Sequence, residues 1–177
     1  TEEITKQVEQ IRSNKAFKEI LNSLGIVAAI INKERQILYY NDTLLNYLQI
    51  KNPDIIIGQR PGELFKCIHS AEEVGGCGTA EACRHCGAIN AILESDKSDG
   101  KVTKECRITA LDGDDYSFYD LLFTSTPILI GNDLFKIISI TDESEQKRKH
   151  VLERIFFHDV LNTAGGLSGF IECLQDA

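Results

Sequence analysis

The sequence predicts an α+β domain: a five-stranded antiparallel sheet with helices between its halves, one helix before it and a long coiled-coil helix after it. Three observations predict this. Strand-like runs come as a pair near the start and as a trio after residue 101. Between the two groups lie turn-rich segments and short runs of helical spacing. After residue 142 no Pro occurs, and apolar residues recur at threes and fours.

Residues 1–23 place Ile4, Val8, Ile11, Phe17, Ile20 and Leu21 at mostly threes and fours, the mark of an amphipathic helix with one buried stripe. Asn22, Ser23 and Gly25 break it. The apolar run GIVAAIIN (25–32), the charged turn Lys33-Glu34-Arg35 and QILYY (36–40) form a β-hairpin. Asn41, Asp42 and Thr43 offer N-cap side chains for a short helix over TLLNYLQI. A Gly/Cys-rich loop follows, and CRHCGAINAILE (83–94) reads as a further helix. Strands are then expected over 102–111, 116–130 and 134–140, with turns at Asp112-Gly113 and at Gly131-Asn132-Asp133. From Thr141-Asp142, read as a cap, a helix runs on. Its seam of Phe157, Val160, Ala164, Leu167, Ile171 and Leu174 needs a partner helix, and a homodimer through this helix is expected.

The bulk properties narrow the function classes. A chain of 177 residues, 42% apolar and 26% charged, holds one well-cored domain and a smaller appendage. A net charge of -8 argues against binding nucleic acid, which needs a basic face. No stretch reaches the roughly 18 apolar residues that span a bilayer. The polar N-terminus is no secretory signal, so a cytoplasmic location is expected. No Walker A loop or GxGxxG fingerprint occurs.

Several segments resemble the PAS family. Tyr39-Tyr40-Asn41 before a helix bearing Leu44, Leu45, Tyr47 and Leu48 is similar to the family's Y-x-N passage, with Thr43 in place of the usual small residue. Ile57-Gly58-Gln59 resembles the turn that follows. Ser139-Ile140-Thr141-Asp142, running into QKRK, resembles the exit of the last strand into a signalling helix. The resemblance covers residues 18–148 and implies a sensory or dimerisation module with a small internal cavity. The chain thus divides into an N-terminal helix (1–23), a PAS sensor domain (24–142) with a Cys-rich loop (67–86), and a signalling helix that opens a phosphoacceptor domain (143–177).

In that helix, Phe156-Phe157-His158-Asp159-Val160-Leu161-Asn162 resembles the H-box of sensor histidine kinases. The resemblance implies that His158 is the phosphoacceptor, that Asp159 accepts or orients its proton, and that Asn162 holds the position used in phosphatase chemistry. A solvated histidine on a coiled-coil flank is the plainer alternative. Where most H-boxes have Pro, this chain has Thr163, followed by Ala164-Gly165-Gly166. The implied partners are an ATP-binding kinase domain, absent from these residues, and the receiver domain of a response regulator. ATP would act only through that kinase domain, and the chain alone would have no activity.

Cys67, Cys77, Cys83 and Cys86 follow C-x9-C-x5-C-x2-C among glycines. In a chain without an export signal they read first as thiols or metal ligands. Four thiolates in one loop suit a zinc ion or an iron–sulfur cluster, with His69 as a substitute ligand. A disulfide of Cys77 with Cys83 or Cys86, or simple packing, is also open. Cys106, on a strand, and Cys173, beside the helix seam, read as packing residues. Non-covalent haem would need His69 or His85. Asp112, Asp114 and Asp115 read as a solvated turn rather than a calcium site. Phe118, Tyr119 and Phe123 read as lining of the domain interior. The alternative to a kinase module is a PAS interaction module, with structural zinc or a plain cysteine cluster and no phosphotransfer.

Overall fold

A computed structural model describes residues 2–175, with side chains through residue 165. Two units are distinguished, residues 1–142 and residues 143–177. In the first, strands β1 (Val27–Ile31), β2 (Ile37–Tyr40), β3 (Val102–Asp112), β4 (Asp115–Ile130) and β5 (Asp133–Asp142) form one antiparallel sheet in the order β2-β1-β5-β4-β3. The chain leaves one edge of the sheet after β2 and returns at the opposite edge with β3. The connection carries α3 (Asp42–Tyr47), α4 (Pro61–Leu64) and α5 (Gly87–Ser98).

Alternation along the central strand assigns the two cores. Val27, Ala29 and Ile31 of β1 face a core with Ile37, Leu44, Phe65, Ile92, Leu121, Phe123, Ile138 and Ile140. Ala28 and Ile30 face the other side, with Val8, Ile11, Leu21, Leu38 and Phe135. Both faces of β1 are therefore covered, and none of its five residues is exposed. At roughly 25 cal/mol per Å² of apolar surface, such double burial makes β1 the strand least tolerant of polar substitution.

The N-terminal segment is two helices rather than one: α1 (Glu2–Arg12) and α2 (Lys15–Ser23). The break falls at Ser13 and Asn14, where the Ser13 hydroxyl donates to the Gln10 carbonyl at 2.7 Å instead of leaving the backbone to continue. The turn redirects the stripe. Val8, Ile11 and Leu21 are buried, whereas Ile20 is exposed.

Asn41 locks this end of the sheet. Its side chain is fully buried. The amide donates to the carbonyls of Leu21 at 2.9 Å and Ile26 at 2.7 Å. The Oδ1 atom accepts from the N–H of Ala28 at 3.1 Å and of Leu44 at 3.2 Å. One side chain thus satisfies the end of α2, the entry to β1 and the cap of α3.

The second unit is α6 (Ser144–Gln175), 32 residues in one helix. The preceding strand extends through Asp142, so Thr141 and Asp142 belong to β5 and the helix begins at Ser144, one residue later than the sequence predicts. Phe157 and Val160 of the predicted seam are exposed on it. The side chains of Leu167, Ile171, Cys173 and Leu174 lie outside the described residues. No described helix is long and apolar enough to cross a membrane.

Candidate functional site

The four clustered cysteines converge on one cavity of about 170 Å³, also lined by His69, His85, Arg35 and Arg107. Its apolar wall is Ile108, Leu121, Phe123 and Ile140 of the sheet, with Phe65, Ile89 and Ile92 from the helical side. Each cysteine is held there by a separate local device. Cys67 follows α4, donates its N–H to the Gly62 carbonyl at 2.8 Å, and makes an isolated β-bridge to Ala110 of β3. Cys77 folds back over α4, its N–H donating to Glu63 Oε1 at 3.3 Å. Gly62 permits this, because a Cβ there would lie 2.5 Å from the Cys77 sulfur.

The CxxC pair differs from the predicted helix start. Cys83 sits in a 3₁₀ turn, Glu81–His85, and Cys86 is the extended residue that precedes α5. The α-helix therefore starts four residues later than the sequence predicts, at Gly87. The reason is packing. Gly87 lies against the Glu105 carbonyl of β3, where any Cβ would collide with the backbone. That approach brings the Cys86 sulfur to 3.8 Å from the sulfur of Cys106. Cys106, read from the sequence as a packing residue, is buried and also adjoins the cluster.

The thiols are electrostatically unequal. Cys106 as hydrogen-bond donor, and secondarily the Ala88 and Ile89 amides and His69, pull Cys86 down to about 6 against the opposing effect of burial. The Ala88 and Ile89 N–H groups, at the start of α5, are directed at the Cys86 sulfur as hydrogen-bond donors. Cys106 moves the opposite way, chiefly because it supplies that hydrogen bond and is itself buried. Burial pushes Cys77 up to about 11 and also raises Cys67. Cys86 is thus shifted in the opposite direction to Cys67, Cys77 and Cys106.

Among the described residues, no three His, Cys, Asp or Glu side chains are grouped as a single metal ion requires. The thiols are instead distributed around a cavity, which suits a group larger than one ion. Arg35 adds a second observation. Its Nε is buried without a hydrogen-bond partner, in the wall of the same cavity. A buried unpaired donor is costly, and an anionic group in the cavity would satisfy it.

In the second unit, His158 lies on an exposed turn of α6, and its side chain and that of Asp159 are both 71% exposed. Nδ1 is 3.3 Å from Asp159 Oδ1. The Asn162 amide nitrogen lies 3.2 Å from both ring nitrogens, which puts it over the ring face rather than in line with either lone pair. Nε2 has no carboxylate neighbour among the described residues. Thr163, where most H-boxes have Pro, returns its hydroxyl to the Asp159 carbonyl at 2.7 Å, and the helix continues through it.

The remaining sequence-named residues fall elsewhere. Asp112, Asp114 and Asp115 are at the exposed β3–β4 turn, and Asp112 pairs with Lys66 at 2.6 Å. Phe123 is buried and Tyr119 packs on the same core, but Phe118 is 65% exposed. Adjacent strand residues face opposite sides, so Phe118 cannot share the interior with Tyr119.

No family model matches the sequence, and no curated protein matches it. Solved structures do. An RNA-binding light-oxygen-voltage receptor is 14% identical with a TM-score of 0.52, over 83% of this chain and 37% of that one. The PAS domain of nitrogen regulation protein NR(II) from Vibrio parahaemolyticus is 14% identical with a TM-score of 0.49, over 71% of this chain and 95% of that one. A PAS domain from a two-component sensor histidine kinase is 10% identical with a TM-score of 0.47, over 72% and 94%. At such identities the likeness is one of fold, and with its 2-1-5-4-3 antiparallel sheet and helical crossover the first unit has the PAS fold.

Proposed function

We propose that this chain is the sensory and phosphoacceptor part of a cytoplasmic two-component histidine kinase, with the cysteine cavity as its input and His158 as its output. The observation that carries the reading is the His158 turn: an exposed imidazole with a carboxylate at Nδ1 and an amide across the ring, on a helix that follows a PAS fold. Asp159 holds the proton at Nδ1 and leaves the Nε2 lone pair to attack the γ-phosphorus of ATP. An N–P bond forms as the bond to the ADP oxygen breaks. ATP would be presented by a separate kinase domain, and the phosphoryl group would pass to an Asp of a receiver domain. Asn162 would take the position used to orient water in hydrolysing the receiver's aspartyl phosphate.

On the input side, Cys67, Cys77, Cys83 and Cys86, with His69 as substitute, would hold an iron–sulfur cluster in the cavity. Such a cluster would supply sensitivity to oxygen or redox state. Arg35 would offset part of its negative charge, whereas Arg107 is already paired with Asp120 at 2.9 Å.

The test is phosphorylation of the chain, fused to an ATP-binding kinase domain, by labelled ATP. Acid-labile label is expected on the parent protein and is expected to vanish in His158→Gln. Label that survives the substitution sinks the phosphoacceptor role. It would favour the interaction-module reading, for which the exposed Phe156, Phe157 and Val160, which share one side of α6, speak as a pairing surface.

A further inference from the structure

We infer that Cys86 and Cys106 form a peroxide-oxidisable thiol pair, closing a disulfide between the start of α5 and the middle of β3. The inference deepens the reading of the cysteine cavity as the input site and rests on that reading for its signalling consequence. Three geometric observations carry it.

The two sulfurs are 3.8 Å apart. A disulfide needs them at about 2.0 Å, a closure within reach of side-chain rotation. Their backbones cannot drift apart, because Gly87 is packed directly on the Glu105 carbonyl and leaves no room for a side chain between helix and strand. The two thiols also differ in access. Cys86 lines the cavity, whereas Cys106 is buried outside its lining. A small oxidant entering the cavity meets Cys86 first, at the N-terminal end of a 12-residue helix.

The chemistry then has a fixed order. The Cys86 thiolate attacks a hydroperoxide, an S–O bond forms, and the O–O bond breaks. Two electrons pass from sulfur to the peroxide, whose departing oxygen takes up a proton to leave an alcohol or water. The Cys106 sulfur next attacks the Cys86 sulfenic acid. The S–S bond forms, the S–O bond breaks, and hydroxide leaves with the Cys106 proton as water. The crosslink would tie α5 to β3 and remove Cys86 from the cavity's ligand set, so a bound cluster and the disulfide exclude each other.

The experiment uses the full chain, freed of metal with a chelator and treated with one equivalent of hydrogen peroxide. Peptide mapping without reduction is expected to yield Cys86 linked to Cys106 as the main crosslink. Cys106→Ser is expected to abolish it and to accumulate Cys86 sulfenic acid, trapped with dimedone. Crosslinks confined to Cys77, Cys83 and Cys86, or no crosslink with Cys106 still alkylatable, overturn the inference. A parallel iron-loading assay separates this from the cluster reading: Cys67→Ser should lose the cluster yet keep the disulfide, and Cys106→Ser the reverse.

Discussion

The cysteine cavity and the His158 turn are built on opposite principles. The cavity is recessed, its thiols perturb one another, and its geometry depends on backbone packed against backbone. The His158 turn is open, and its described polar neighbours, Asp159 and Asn162, come from within one turn of the same helix. The difference teaches where each site's specificity resides. The first is complete inside one domain, so small changes in packing alter it. The second, in the function proposed for it, would supply only a nucleophile and its proton partner, and would leave the rest of the chemistry to another domain.

Glycine substitutions break that comparison most sharply. Gly87→Ala forces a Cβ into the Glu105 carbonyl and is expected to cost about 3 kcal/mol in denaturant unfolding. Gly165→Ala, seven residues beyond His158, meets nothing within 4 Å and is expected to stabilise the helix by about 1 kcal/mol. Equal effects of the two, measured by melts followed in circular dichroism, would erase the contrast.

Within the cavity, pH is the next probe. With Cys86 down to about 6 and Cys77 up to about 11, iodoacetamide at neutral pH should label Cys86 faster. Thiolate populations favour Cys86 by about 10⁴-fold, and the lower intrinsic nucleophilicity of a low-pKa thiolate cuts the expected ratio to about 100-fold. The two thiols also contribute to stability in opposite windows. The Cys86 contribution is complete above the ordinary thiol range and is lost as pH falls through about 6. The Cys77 contribution is complete below that range and is lost as pH rises through about 11. A Cys86 labelling rate that climbs tenfold between neutral pH and the ordinary thiol range would remove the asymmetry.

The smallest effect is expected at the open site. Asn162→Ala, losing contacts that solvent replaces, should change stability by no more than about 0.5 kcal/mol. Labelling of His158 should stay within about twofold, while loss of phosphate in the presence of a receiver domain should slow. A collapse of labelling would mean that the amide acts on the attack itself.

The sheet was legible in the sequence because strand signals are local: the doubly buried β1 reads as an unbroken apolar run. The first helix break was not, because the pattern across Ser13 and Asn14 keeps near-helical spacing, and a hydroxyl competing for the backbone leaves no periodic trace. The cysteine cluster was legible as a cluster, from spacing alone. Its fifth member was not, since Cys106 meets Cys86 only through the packing of α5 on β3, twenty residues on. Gly87 in CxxCG was the available signal. A glycine opening a helix after a cysteine marks close backbone approach. Phe118 needed only parity along the strand to be separated from Tyr119 and Phe123.

The Asn41 hub has a consequence for the order in which the molecule is assembled. All four of its bonds join residues between Leu21 and Leu44, so they close short loops at small entropic cost. The partner of β1 on its other side, β5, is synthesised about a hundred residues later. A nascent chain can therefore hold α2, the β1–β2 hairpin and α3 in register while one edge of its central strand still awaits its neighbour. That edge is the molecule's most exposed point for mispairing during synthesis, and it closes only when Lys136–Ile140 arrives.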